Sequence, residues 1–294
     1  MNRPASAQPY PLQRYHAGGW QRVADPVAVE EPLEIRLEVD AGGVRAAQSI
    51  SVTMRTPGHD FDLAAGFLFT EGILQAKDDI AEMTYCLDSK DGEGQQTYNV
   101  VTVTLRPWVR VDAARLLRNF YTTSSCGVCG KASLDAVRVQ VAIPPAGEGM
   151  QLAPEAVCSL PQRLQAEQTL FHATGGIHAS WLCDAEGNLL ASREDVGRHN
   201  ALDKLIGAEF LAGRTPLSER VLVLSGRASF EQVQKAAVAG IPVVVAVGAP
   251  SSLAIDLAAS QGMTLLGFTK ASGFNAYCGV ERLAGRAATA GRGS

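Results

Sequence analysis

Between residues 221 and 268 the chain alternates short β-rich runs with helix-like runs, and this constrains its fold more than any other feature. Val221 to Leu224, Val243 to Val247 and Thr264 to Phe268 read as strands, with Phe230 to Ala239 and Leu253 to Ser260 as the helices between them. Strands joined through helices lie parallel in one sheet. Gly240 and Gly262 stand where helix C-termini favour a left-handed residue, and Ser229-Phe230-Glu231-Gln232 matches a capping box. In such a sheet the loops leaving the carboxyl ends of the strands share one edge, where open α/β sheets bind ligands. Three loops qualify: Ser225-Gly226-Arg227-Ala228-Ser229, Gly248-Ala249-Pro250-Ser251-Ser252 and Thr269-Lys270-Ala271-Ser272-Gly273. Arg227 and Lys270 supply charge, while Ser229, Ser251 and Ser252 are neutral donors. The first two loops run into helix N-termini, whose free N–H groups and dipole favour anions. Each loop alone is an ordinary cap; together they read as a phosphate or nucleotide cradle, without a Walker or dinucleotide fingerprint.

The rest of the chain divides around that region. Residues 27 to 39 alternate apolar and polar at period two and lead into an Asp40-Ala41-Gly42-Gly43 turn, the mark of a hairpin. A helix is expected around Asp60 to Phe69 and a strand over Tyr98 to Leu105. Pro144 to Gly149 breaks the pattern. Beyond it a long helix fits Pro154 to Phe171, and Ser180 to Asp184 with Leu189 to Ser192 make a hairpin. Asp195 caps a helix through about Leu211. The expected organisation is a mobile tail over 1–24, a small α+β domain over 25–118, a connector over 119–149, an α/β domain over 150–285 with a mixed, partly parallel sheet, and a tail over 286–294.

With 294 residues, 46% of them hydrophobic, the chain can bury two cores. A net charge of -4 gives no bulk attraction to nucleic acid or anionic lipid, so any basic site is local. The first residues lack a signal-peptide core and the longest apolar runs are too short to span a bilayer, which leads us to expect a cytoplasmic protein with no membrane or nucleic-acid partner.

Near the middle lies Thr123-Ser124-Ser125-Cys126-Gly127-Val128-Cys129-Gly130-Lys131. Two thiols at this spacing exchange electrons as a dithiol, supply half a zinc site, or carry a transferable sulfur. Zinc needs more ligands than Cys126 and Cys129 provide. His178, in Thr174-Gly175-Gly176-Ile177-His178, is no deaminase ligand either, because the Glu such a site needs two positions on is Ser180 here. A thioredoxin-type pair would come early in its domain. Cys86, Cys158 and Cys183, among apolar neighbours, read as core residues. Arg193 to Lys204 packs seven charged or titratable side chains into twelve positions, making Arg198 and His199 candidates. His16 and His172 carry no such signal, and His59 reads as decoration of a helix start.

Taken in order, Met54-Arg55-Thr56-Pro57-Gly58, Ala65 to Gly72, Ser124 to Lys131, Thr174 to His178, Asp195 to Ala201, Ser225-Gly226-Arg227 and Gly267-Phe268-Thr269 resemble the signature blocks of the FdhD family of formate dehydrogenase accessory sulfurtransferases. The resemblance implies a sulfur carrier that takes persulfide sulfur from a cysteine desulfurase. It would pass that sulfur to the molybdenum of a bis(molybdopterin guanine dinucleotide) cofactor, bound as cargo, before insertion into the catalytic subunit of formate dehydrogenase. It further implies a homodimer, a cytidine deaminase-like three-layer C-terminal domain, GDP as a mimic of the cargo, and no permanent metal. Carried over by residue, Cys126 becomes the persulfide cysteine, Cys129 its assisting partner, and Phe268, Thr269, Lys270, Ala271, Ser272 and Gly273 the segment contacting the cofactor. The spacing assigns neither transfer step to one thiol. Arg227, Ser229, Ser251, Ser252, His178, Arg198 and His199 join the candidate binding residues. The competing expectations are a cofactor-binding chaperone without sulfur transfer, and a redox or zinc module.

Overall fold

The computed structural model describes residues 5–40, 45–86, 96–111 and 149–285. In chain order it runs β1 (Ala7–His16), β2 (Gly19–Ala28), β3 (Glu31–Asp40), β4 (Arg45–Arg55), α1 (Asp60–Thr70), β5 (Ile80–Tyr85) and β6 (Val100–Leu105). There follow α2 (Pro154–Gln165), α3 (Thr169–Thr174), β7 (His178–Cys183), β8 (Leu189–Asp195) and α4 (Arg198–Leu211). Last come β9 (Val221–Leu224), α5 (Phe230–Val238), β10 (Val243–Ala246), α6 (Ser252–Ser260), β11 (Thr264–Lys270) and β12 (Gly273–Cys278). The fold class is the expected mixed α/β, combining parallel and antiparallel strand pairs.

Two compact units interleave along the chain. One comprises Met1–Gln140, Gln168–Ala179 and Arg193–Arg214; the other comprises Val141–Glu167, Ser180–Ser192 and Thr215–Ser294. The sequence reading had one domain over 150–285. It missed that α4 belongs with the first unit, where Gly207 of α4 meets Gly66 of α1. A Cβ on Gly66 would collide with the Asp203 carbonyl oxygen, and one on Gly207 with that of Asp62, so the two backbones touch.

In the first unit, a four-stranded sheet runs β4-β3-β6-β5, with β3 parallel to β6. Leu33, Ile35 and Leu37 alternate along β3 and are buried against Leu63 and Leu68 of α1, Val101 and Val103 of β6, and Phe210 of α4. Each such side chain contributes about 1.5–3 kcal/mol on burial. Arg55, wholly buried at the end of β4, donates from Nε and Nη2 to the two oxygens of Asp60, each at 3.0 Å, and from Nη1 to Glu31 at 3.2 Å. This fork fixes the start of α1 against the sheet.

Where a mobile tail over 1–24 was expected, β1 and β2 form an antiparallel hairpin. Ala17 and Gly18 turn it with φ of 49° and 84°, the paired positive values of a type I′ turn. The long helix expected over Pro154 to Phe171 is instead α2 and α3, with Gln168 as the N-cap of the second.

In the second unit, a six-stranded sheet runs β12-β11-β10-β9-β7-β8. β9, β10 and β11 are parallel, while β12 and β7 pair antiparallel to their neighbours. All residues of β9 and β10 are buried, as strands covered on both faces must be. Gly240 and Gly262 do take positive φ, 78° and 63°, after α5 and α6. Among the described residues no helix is long and apolar enough to cross a membrane.

Candidate functional site

In the second unit the three expected loops lie side by side, held by backbone hydrogen bonds that continue the sheet beyond its strands. Val247 N–H donates to the Leu224 carbonyl at 3.1 Å and Gly248 N–H to Gly226 at 2.8 Å. Ala228 N–H reaches Ala249 at 3.2 Å, Ser251 N–H reaches Ala228 at 3.1 Å, and Phe268 N–H reaches Gly248 at 3.1 Å. Two glycines permit this closeness. A Cβ on Gly248 would lie 3.1 Å from the Arg227 nitrogen, and one on Gly267 would lie 2.9 Å from Pro250 Cδ. Arg227, Ser229, Ser251, Ser252 and Phe268 are thereby gathered on one edge.

Their roles differ. The Ser229 hydroxyl accepts from Gln232 N–H at 3.4 Å in the expected capping box, and Ser251 Oγ accepts from Ala254 N–H at 3.3 Å. Both serines are therefore helix caps first. Ser252 is exposed, as are Arg227 and Lys270, and among the described residues neither cation forms an ion pair. The third segment is not a loop feeding a helix: it is the end of β11, a turn at Ala271-Ser272, and Gly273 opening β12 opposite Lys270.

Phe268 stands out within it. Its φ is +52°, left-handed backbone that costs a residue with a side chain roughly 1–3 kcal/mol, and its ring is 49% exposed. Val247 and Leu253, 37% and 57% exposed, lie on the same edge. Sequence reasoning passed over these two because each sits beside an element boundary and completes no motif. Thr269, between Phe268 and Lys270, is buried, and among the described residues its Oγ1 has no hydrogen-bond partner.

His178, Arg198 and His199 belong to the first unit, at the starts of β7 and α4. Asp195 does not cap α4, whose N-cap is Gly197. It ends β8, wholly buried, where its carboxylate pairs with Lys204 Nζ at 2.6 Å. The carboxylate also accepts from Thr56 N–H at 3.1 Å, Gly197 N–H at 2.8 Å and Asn200 Nδ2 at 3.1 Å. Lys204 in turn donates to the Thr56 carbonyl at 2.7 Å. Burial pushes the Asp195 carboxyl up, and the ammonium and N–H donors work against that. Asp195 and Lys204 thus lock two signature blocks together, a role unforeseen because their partner Thr56 is remote in sequence. His178 is half-buried; burial and then the nearby Arg198 charge lower its pKa, with Asp195 opposing, which favours the neutral imidazole.

Cys126 and Cys129 lie outside the described residues. Burial raises the Cys183 thiol to about 12 and also raises that of Cys278, so neither offers a thiolate near neutral pH. Cys183 is a core residue as expected, whereas Cys86 and Cys158 are partly exposed. Among the described residues no group of three or more His, Cys, Asp or Glu is arranged to hold a metal ion.

The family model described as "FdhD/NarQ family" matches residues 28–284. A Streptomyces avermitilis protein named "Sulfur carrier protein FdhD" is 52% identical over 271 residues, covering 90% of this chain and 92% of its own. A Mycobacterium tuberculosis protein of the same name is 46% identical over 261 residues, covering 88% and 92%. Among solved structures, one from Desulfotalea psychrophila, described as a putative formate dehydrogenase accessory protein, aligns with a TM-score of 0.68 at 24% identity over 95% of this chain and 100% of its own. That likeness supports the fold.

Proposed function

The chain belongs to the FdhD/NarQ family, and from that premise we propose that it is a sulfur carrier serving formate dehydrogenase. The observation that carries this reading is 52% identity, over 90% of the chain, to a protein named as a sulfur carrier. In the finer reading, Cys126 is the acceptor. Its thiolate attacks the outer sulfur of a desulfurase persulfide, forming a Cys126 persulfide and releasing the desulfurase thiolate. In the onward step the Cys129 thiolate attacks the inner sulfur of that persulfide, closing a Cys126–Cys129 disulfide, which a cellular dithiol reductant reopens, and expelling sulfide, which passes to the molybdenum of a bis(molybdopterin guanine dinucleotide) cofactor before that cofactor enters formate dehydrogenase. The protein is a cytoplasmic homodimer that holds the cofactor as cargo.

The loop edge of the second unit supports the cargo reading. Helix N-termini and two exposed cations, Arg227 and Lys270, suit phosphates, and exposed Phe268, Leu253 and Val247 suit a flat ring system. Within the first unit taken by itself, His178, Arg198 and His199 are the proposed binding residues. In cells lacking the native protein, Cys126→Ala should leave formate dehydrogenase inactive although the variant accumulates to normal levels. Full maturation with that variant would exclude sulfur transfer through Cys126 and leave a cofactor-binding chaperone.

A further inference from the structure

The β1–β2 hairpin forms a sheet of its own, separate from the four-stranded and six-stranded sheets. Its base is fixed within the first unit, where Val29 N–H donates to the Ser6 carbonyl at 3.0 Å and the Ser6 hydroxyl to the Pro57 carbonyl at 3.0 Å. Its two faces differ. On one, Leu12 lies opposite Val23 and Tyr10 opposite Asp25, and Leu12, Val23 and Asp25 are partly covered. The other carries Pro9 opposite Pro26, Gln13 opposite Arg22 and Tyr15 opposite Trp20, and every residue on that side is exposed.

Tyr15 and Trp20 are 61% and 69% exposed, with ring centroids 5.2 Å apart. Two large rings held together in water are a surface that gains from being covered. A further strand is not what covers it. Strands tolerate proline where the missing N–H would point out of the ladder, so the outer edge of β1 lacks donors at Pro9 and Pro11 and that of β2 at Pro26. The ribbon offers its side-chain face instead.

Charge and size select the occupant. From Gln13 to Arg22 the tip carries Arg14, Arg22 and no acidic residue, in a chain of net charge -4. Asp25 holds Arg14 at 2.6 Å, whereas Arg22 shares the outer face with Trp20 and among the described residues forms no ion pair. Trp, Tyr and Arg are the residue types that carry most of the binding energy at protein interfaces. Strands of 10 residues, at about 3.4 Å per residue and about 5 Å apart, make a face of about 34 by 10 Å, so covering it buries about 700 Å² over both partners. Stable complexes bury about 1,600 Å², and encounters that form and release bury less than about 1,200 Å². The face therefore suits a visiting protein with an acidic rim rather than a permanent second copy. A protein that takes over the cofactor must engage the loop edge, which belongs to the second unit, whereas the hairpin belongs to the first.

We propose that the outer face of the β1–β2 hairpin docks the protein that delivers the persulfide, with Tyr15 and Trp20 entering an apolar pocket and Arg22 meeting carboxylates at its rim. The proposal rests on the sulfur-carrier reading and adds the surface through which the donor is met.

Initial rates of sulfur loading test it, measured against the concentration of the full chain with a cysteine desulfurase and cysteine, and separately with glutathione persulfide, which needs no docking surface. Trp20→Ser should raise the KM of the desulfurase for the chain about tenfold or more and change kcat by less than about twofold. Arg22→Glu should raise that KM about fivefold at low salt, and its difference from wild type should narrow in about 0.5 M NaCl. Val27→Thr, 41% exposed on the opposite face, should stay within about twofold of wild type. Glutathione persulfide should load all three variants as it loads wild type. An unchanged KM in Trp20→Ser overturns the assignment, and loss of formate dehydrogenase maturation in that variant then gives the face to the acceptor. Slower loading of Trp20→Ser from glutathione persulfide also overturns a docking role. So does a change from dimer to monomer on sedimentation of Trp20→Ser, which gives the face to a second copy. A wild-type chain that never loads from the desulfurase overturns the sulfur-carrier reading, and the inference falls with it.

Discussion

Asp195 is the residue on which the start of α4 depends, since its one carboxylate gathers donors from Thr56, Gly197, Asn200 and Lys204. Lys204→Met leaves that carboxylate buried without its counter-charge and should cost about 3–5 kcal/mol in urea unfolding. Adding Asp195→Asn to the same chain should recover part of the loss, because a neutral amide tolerates burial better. His178 supplies a pH test. Its folded pKa lies below the ordinary value near 6.5, so as pH falls through about 6.5 the unfolded chain takes up a proton that the folded chain refuses. Stability attributable to His178 is complete above that pH and is lost below it, down through the folded pKa. Melting curves between about pH 5 and 7.5 should show a shallower acid decline for His178→Gln than for wild type. Residue-scale roles were the least legible in the sequence. Ser229 could be read as a cap because Gln232 stands three positions on, but the partners of Asp195 and the positive φ of Phe268 arise only once distant segments meet.

At the scale of elements, local rules served best where each element is bounded by its own signals. β9, β10 and β11, with α5 and α6 between them, lie within two residues of the expected bounds because glycines, serine caps and valine runs mark every border. The β1–β2 hairpin was missed because it is exposed on most positions and so lacks apolar alternation. Its signal was the Ala17-Gly18 turn, with Tyr15 facing Trp20 at a ring separation of 5.2 Å. The α2–α3 break has no proline or glycine at its border; the chain stops and restarts at Gln168 instead, with Glu194 accepting the Leu170 and Phe171 N–H groups at 3.1 and 3.0 Å. The α1–α4 crossing was equally hidden, since Gly66 and Gly207 each look like mild helix breakers until the two helices are placed together. Gly66→Ala and Gly207→Ala should each destabilise by on the order of 3 kcal/mol or more, against the ~1 kcal/mol gain expected of Gly→Ala in an open helix, and circular dichroism melts will separate the two signs.

For the whole molecule, the notable property is that the units interleave: the chain leaves the first unit, returns for Gln168–Ala179, and returns again for Arg193–Arg214. A sequence reading that seeks one boundary cannot find this, because the α4 segment that belongs with α1 follows strands of the other unit. The signature blocks are likewise divided, with Arg55, His178 and Arg198 in one unit and Arg227 and Phe268 in the other. The family model spans both, over residues 28–284. The central claim concerns what passes through the molecule, and peptide mass spectrometry tests it directly. Full-length protein is incubated with a cysteine desulfurase and cysteine, its remaining thiols are blocked, and the digest is mapped. The account predicts the mass of one additional sulfur, removable by reductant, on the peptide holding Cys126, and none in Cys126→Ala. Sulfur that loads equally well in Cys126→Ala, or a wild-type protein that never acquires it, would contradict the account.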